Sequence, residues 1–168
     1  ALRDDMTPED QAAYDALAVP GPYSPDHASA GRRGLRNLAL ACLVDADAPG
    51  ALDLARAQLV AAENMTEVQG ALVAIVNSAA PWKADALAQL ARAWSSEPLL
   101  MNKWLQVQAT AMAQPGEPPG VERVRVLMRH PAFSMDNPNA VFALLRGFCA
   151  LNEAEFHRRG ADGYALWV

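Results

Sequence analysis

The sequence predicts an all-α fold: an irregular superhelix of antiparallel helical hairpins, an armadillo- or HEAT-like array of about eight or nine helices. Three observations point there. Alanine and leucine dominate a chain that is 52% apolar, and β-branched residues are comparatively sparse, a bias that favours helix over sheet. Helix-start signals recur at short intervals. Between them the apolar residues keep a helical period, and no segment alternates apolar with polar residues over strand length.

The starts come in order along the chain. Thr7-Pro8-Glu9-Asp10 sets a cap residue, a first-turn proline and two acids in sequence. Ser24-Pro25-Asp26 repeats the device, with Ser24 read as the cap. Thr66-Glu67-Val68-Gln69 reads as a capping box. Ser96-Glu97-Pro98 and Asn137-Pro138 are further entries, and Pro49 and Pro81 open two more helices. The expected apolar faces are Leu35, Leu38, Cys42 and Leu43; Leu52, Ala55, Leu59 and Ala62; Val68, Leu72, Ile75 and Val76; and Leu87, Leu90 and Trp94. Val121, Val124 and Met128 form a shorter stripe, followed by Val141, Leu144, Leu145 and Phe148. No tetratricopeptide or ankyrin repeat appears, so the array is expected to be irregular. QPGEPPG (114–120) reads as a surface excursion or hinge within a single domain spanning 1–168, since each side alone is small for a good core.

The stretch PYSPDHASAGRRGLRN is read as a helix entrance. Gly31 and Gly34 fit neither a dinucleotide fingerprint nor a phosphate loop, and no strand precedes them. They are expected to let another backbone approach. Arg32, Arg33 and Arg36 are expected on the surface, bridging to neighbouring helices or to another domain.

Charge and composition narrow the function classes. The net charge is −5 and the 14 basic residues form no stripe, which argues against a nucleic-acid partner. No run approaches the 18 or so apolar residues of a membrane span. Cys42 and Cys149 sit in apolar helical patterns and read as buried reduced thiols. The chain opens ALRDDMTPED, with neither a leader pattern nor an initiator methionine, as a trimmed piece would.

A search for chemistry returns little. His27, His130 and His157 have no second histidine at ligand spacing, and all three fall at expected helix ends or in a first turn. There is no GxSxG. Cys149 lies near Glu153, Glu155 and His157, but it continues an apolar face. Asp4–Asp5 and Asp45–Asp47 read as solvated caps. Trp82, Trp94, Trp104 and Trp167, with Tyr14, Tyr23 and Tyr164, are scattered as core anchors would be.

The ordered series GPYSPDHASAGRRGLRNLAL, AENMTEVQGAL, EPLLMNKWLQVQA, VLMRHPAFSMDNPN and GFCALNEAEFHRRGADGYALWV resembles the C-terminal helical domain of bacterial aminopeptidase N, the zinc-dependent alanyl aminopeptidases of the gluzincin class. The likeness runs from about Leu2 to Val168. It implies a helical superhelix that caps a thermolysin-like catalytic domain of the same polypeptide and encloses a chamber admitting peptides to the zinc. It also implies a cytoplasmic enzyme that removes N-terminal residues from peptides. The chemical parts of that family have no counterpart here: neither HExxH, a third zinc ligand nor GxMEN is present. No catalytic or metal residue is therefore assigned, and zinc belongs to the full-length relative and not to this chain. What the resemblance carries over is a chamber wall on the helix after NPN, assigned to Asn139, Phe142 and Arg146. Relatives can place a basic residue facing the cavity there. Phe142 stands at the matching position, with Arg146 one turn later. The family domain also continues past the GY stretch, so the resemblance implies truncation after Val168. The alternatives are a stand-alone helical-repeat adaptor binding proteins on a concave face and, more remotely, a small enzyme using Cys149 and His157.

Overall fold

The computed structural model describes the backbone of residues 2–167 and the side chains of residues 9–166. Among these residues every regular element is helical, in accord with the expected all-α class. The chain forms two compact units, Ala1–Ala80 and Pro81–Val168.

The first unit contains α1 (Leu2–Ala16), α2 (His27–Asp45), α3 (Ala51–Ala61) and α4 (Met65–Val76). Helix α2 packs on α1 and α4, and α3 packs on α4. Its core is alanine-rich: Ala39, Ala51, Ala55, Ala71 and Ala74 are buried beside Leu40, Leu43, Leu72 and Ile75. Small residues let the helix axes approach, and each fully buried leucine contributes roughly 1.5–3 kcal/mol.

Several boundaries differ from the expected ones. Helix α1 begins at Leu2 and runs through Pro8, so Thr7-Pro8 is not a start. One proline in the second turn removes only one main-chain hydrogen bond. The side chains of Thr7 and Pro8, like those of Asp4, Asp5 and Trp167, lie outside the described residues. Helix α2 is capped by Asp26, not Ser24. The Asp26 carboxylate accepts from Ser29 N–H at 2.9 Å, and Ser24 Oγ donates to it at 2.6 Å. The Ser24 hydroxyl first, then Ser29, hold the Asp26 carboxyl well below the usual carboxylate range. Helix α4 is capped by Asn64, two residues before Thr66. Asn64 Oδ1 accepts from Glu67 N–H at 3.1 Å, and Asn64 Nδ2 donates to Glu67 Oε2 at 2.6 Å. A capping box needs the acceptor three residues before the acid, and Asn64–Glu67 supplies that spacing.

The buried face of α2 also differs. Leu35 and Leu38 are 55% and 60% exposed, whereas Arg33 is buried and Arg36 and Asn37 are half-buried. Polar contacts set this register. Arg32 donates to the Ala16 and Ala18 carbonyls at 2.7 and 3.1 Å, closing the end of α1. Arg36 lies over the Tyr14 ring at 4.2 Å, donates to the Tyr14 carbonyl and pairs with Glu67 at 3.4 Å. Tyr14 in turn donates to Gln58 Oε1 at 3.1 Å. Gln58 donates to Asn37 Oδ1 at 2.8 Å and to the Glu67 carbonyl at 2.9 Å. Asn37 donates to the Thr66 carbonyl at 2.9 Å. One network therefore ties α1, α2, α3 and α4 together.

The second unit contains α5 (Lys83–Ala93), α6 (Pro98–Ala109), α7 (Gly120–Leu127), α8 (Pro138–Val141), a π-helical turn Phe142–Arg146, α9 (Gly147–Leu151), α10 (Glu153–Phe156) and a closing 3-10 turn Gly163–Trp167. Helix α8, the π turn and α9 form one continuous composite helix. The start at Pro98 and the Asn137 cap, which accepts from Asn139 N–H, agree with the sequence reading. The core gathers Trp104 and Leu105 of α6, Val121 and Val124 of α7, and Leu144 and Phe148 of the composite helix. Trp104 Nε1 donates to the Leu87 carbonyl at 2.9 Å, which makes it the expected core anchor.

The loop 110–119 is pinned from several sides. Buried Asn152 donates to the Ala109 and Ala111 carbonyls, each at 3.0 Å. Arg123 donates to the Gln108 carbonyl at 2.9 Å and to the Ala111 carbonyl. Buried Glu155 accepts from Gly120 N–H at 2.7 Å, from Ala113 N–H at 3.3 Å and from Arg158 at 3.1 Å. Lys83 reaches Glu117 at 2.6 Å. The stretch is thus a bound excursion. A hinge would need fewer of these contacts.

Two predictions follow from this packing. A Cβ at Gly70 would overlap the Asn37 amide, which the network holds in place, whereas a Cβ at Gly34 meets nothing within 4 Å. Gly31 is equally open, so in the first unit the close approach falls at Gly70 and not at the two α2 glycines. Gly70→Ala is expected to cost about 1–3 kcal/mol, and Gly34→Ala to stabilise by about 0.5–1 kcal/mol. Urea unfolding of both variants checks the opposite signs. For Glu155, burial pushes its carboxyl up, but the bonds from Gly120, Ala113 and Arg158 outweigh burial and the net direction is down from the ordinary value of 4.5. A depressed native value stabilises fully above the unfolded value, and that stability is lost as pH falls through the native one. Acid is therefore expected to weaken the second unit below about pH 4.5. Glu155→Gln should lose about 1.5–3 kcal/mol at neutral pH and flatten part of that acid dependence in a pH series of thermal melts.

Candidate functional site: an exposed ridge on a π-bulged helix

The residues assigned to a chamber wall share the composite helix. Asn139, Phe142 and Arg146 are all exposed, Phe142 by 60%. Their spacing of three and four residues stacks them along one side of a helix. The opposite side packs inward through Ala140, Ala143, Leu144, Leu145, Gly147 and Phe148.

The π turn lies within this stretch. Gly147 N–H donates to the Phe142 carbonyl, five residues back, as well as to the Leu144 carbonyl. Three consecutive buried residues, Ala143, Leu144 and Leu145, are followed at once by Gly147 and Phe148. At 3.6 residues per turn these five already share one side of the helix, an arc of about 200°, with Phe142 and Arg146 on the other, so the burial pattern alone does not call for the wider turn. Gly147 is tight as well, since a Cβ there would lie 3.3 Å from the Ala109 Cβ. The sequence reading missed the π turn. No residue in the run signals it, since a regular helix would bury the same side chains.

Arg146 has no carboxylate partner among the described residues, so its charge is available to solvent or to a ligand. Asn139 keeps its side-chain amide exposed while its N–H is bound to Asn137. The ridge offers an aromatic face flanked by one amide and one cation. It holds no nucleophile–base pair and can bind, not react.

The other sequence candidates have structural roles. His130 Nδ1 accepts from Ala132 N–H at 3.1 Å, and its ring lies 4.8 Å from that of Trp104. His157 Nδ1 meets the Tyr164 hydroxyl at 2.6 Å. Cys42 and Cys149 form no disulfide and are each partly buried; Cys149 packs on the second core. Among the described residues no three His, Cys, Asp or Glu side chains converge as metal ligands. The described side chains therefore do not fit a zinc centre. No described helix is long and apolar enough to cross a membrane.

Comparison with known proteins agrees with this picture. The family model described as "Domain of unknown function (DUF3458_C) ARM repeats" matches residues 1–168. Aminopeptidase N of Caulobacter vibrioides is 40% identical over 155 residues, covering 91% of this chain and 17% of that protein. Aminopeptidase N of Escherichia coli is 33% identical over 146 residues, covering 87% of this chain and 16% of its own length. Among solved structures, Legionella pneumophila aminopeptidase A in complex with aspartic acid superposes with a TM-score of 0.83 at 28% identity, over 98% of this chain and 20% of that one. The chain thus spans about a sixth of the curated relatives it matches. The likeness to the aminopeptidase N helical domain, first read from YSPD, NMT, KW, HPAF and NPN in order, is borne out, and the ARM-repeat description agrees with the expected helical array. This chain belongs to the DUF3458_C family of armadillo-repeat domains.

Proposed function

We propose that the chain is a non-catalytic domain of a zinc metalloaminopeptidase that removes N-terminal residues from peptides, and that it caps the catalytic domain and walls the substrate chamber with Asn139, Phe142 and Arg146. The observation that supports this is the exposed ridge itself: an unpaired arginine one turn beyond an exposed phenylalanine, on a helix with no reactive constellation. Matches to aminopeptidases over nearly the whole chain supply the context. The family match runs through both compact units, which supports reading 1–168 as one working domain. Zinc and the attacking water belong to the catalytic domain of the polypeptide in this reading. Peptides are the substrates in this reading, and two cysteines that form no disulfide suit a cytoplasmic setting.

The ridge suits the trailing part of a peptide. Phe142 offers an apolar surface to side chains beyond the scissile bond, and Arg146 attracts the C-terminal carboxylate. Where relatives can place a basic residue, Phe142 shifts the balance from charge to apolar contact. An exposed pair of this kind acts on binding and not on the chemical step.

The test uses the full-length polypeptide that contains this domain. Phe142→Ala and Arg146→Ala are expected to raise KM for peptides of four or more residues by roughly 3–10-fold with kcat unchanged, since each removes about 1 kcal/mol of uniform binding. A single-residue chromogenic amide, too short to reach the ridge, should be unaffected. The Arg146 effect should shrink in high salt. Equal effects on short and long substrates, or none on either, would overturn the chamber-wall reading. Both side chains are exposed, so unfolding midpoints should move little.

A further inference from the structure

The first unit holds a buried cation without a counter-ion. Arg33 is only 3% exposed. One guanidinium nitrogen donates to the Ser24 carbonyl at 2.7 Å, and the group lies 4.9 Å from the centre of the Tyr23 ring. Its Nε is buried with no hydrogen-bond partner. No carboxylate of the described residues pairs with it. A buried guanidinium ordinarily has an anion beside it, because desolvation without pairing is costly.

Arg33 lines a pocket of about 180 Å³ together with Gly21, Tyr23, Glu63, Asn64 and Glu67. Gly21 stands at φ +88° with nothing within 4 Å of where a Cβ would be, so the backbone there leaves the space open. The two acids differ. Glu67 is committed to Arg36 and Asn64. Glu63 has no hydrogen bond or ion pair among the described residues. With Glu67 neutralised by Arg36, the pocket presents one free cation and one free carboxylate.

That balance selects the ligand. A phosphate would gain Arg33 but face Glu63 and the partial charge left on Glu67. A neutral apolar molecule would leave the Arg33 guanidinium without a counter-charge. A small molecule bearing both charges answers both groups. At about 30 Å³ per water, the pocket has room for roughly six water-sized groups, well below the roughly 300–1,000 Å³ of drug-sized sites. We propose that this pocket binds a small zwitterionic α-amino acid, its carboxylate on the Arg33 guanidinium and its ammonium on Glu63. The site involves neither the π-bulged ridge nor any peptidase chemistry, so it stands or falls apart from the chamber-wall reading.

The test is an NMR titration of the isotopically labelled 168-residue chain with L-alanine, N-acetyl-L-alanine, L-alaninamide and inorganic phosphate. L-alanine is expected to give saturable shifts centred on the amides of Tyr23, Arg33, Glu63 and Asn64. N-acetyl-L-alanine lacks the ammonium and L-alaninamide lacks the carboxylate, and each should bind at least tenfold more weakly. Glu63→Gln should weaken L-alanine about tenfold while leaving N-acetyl-L-alanine unchanged. Glu63 is exposed and unpaired, so this variant should keep the parent unfolding midpoint, whereas Arg33→Met removes a buried anchor and need not fold. Non-saturating or scattered shifts with L-alanine, equal binding of the N-acetyl compound, tighter binding of phosphate, or an L-alanine response unchanged in Glu63→Gln would each overturn the proposal.

Discussion

The constraint on which the rest of the structure depends is the unpaired carbonyl at the end of a short helix. A helix leaves its last four carbonyls without main-chain donors, and a chain built of short helices creates many such ends in a small volume. In this protein side chains from neighbouring elements close them. Arg32 takes the Ala16 and Ala18 carbonyls, Asn152 those of Ala109 and Ala111, and Arg123 those of Gln108 and Ala111. Gln58 and Asn37 also donate to carbonyls of α4, in its first turn, as an additional bond to groups the helix already engages. Each of these donors comes from an element other than the one it closes, so satisfying the backbone and fixing the packing of adjacent helices are one act. Apolar burial supplies the larger energy, but it is non-directional. The donors select which register the alanine-rich faces adopt.

This division of labour explains what could be read from the sequence. Helix class, the starts at Pro98 and Pro138, and the cores around Leu72, Ile75, Leu144 and Phe148 follow from period and cap chemistry, which are local. The face of α2 was not legible. Leu35 and Leu38 have apolar spacing, yet Arg36 and Asn37 face inward because Tyr14, Gln58 and Glu67, from three other helices, offer them partners. Caps slipped by two residues at Asp26 and Asn64 for a related reason. Several residues in each stretch could cap, and the one chosen is the one whose side chain also makes a second hydrogen bond: Asp26 accepts from Ser24, and Asn64 donates to Glu67. The close approach at Gly70 was invisible for want of knowing that Asn37 sits opposite it.

For the ridge, the exposed positions were legible and their backbone was not. Asn139, Phe142 and Arg146 lie outward as their spacing implies. The π turn was not legible, because a regular helix would present the same residues to the core and no single motif announces the wider turn. Short helices with glycine at a tight crossing, such as Gly147 against Ala109, leave the backbone no room to unwind elsewhere.

The same turn bears on how the ridge should be understood. A π-helical turn has poorer geometry than the α-helix around it and tends to persist at functional positions. Here the residue at its first position is a phenylalanine with most of its surface in solvent. That phenyl ring adds nothing to the buried cluster, and any polar residue would serve folding as well at this point. Arg146, a turn further on, likewise has no carboxylate partner to stabilise. Both side chains stand outside the buried core of the second unit, which is why the proposed contact role is placed on them. The interior of the same helix is explained by packing against α6, α7 and α10, so the case for function rests on the outward side alone.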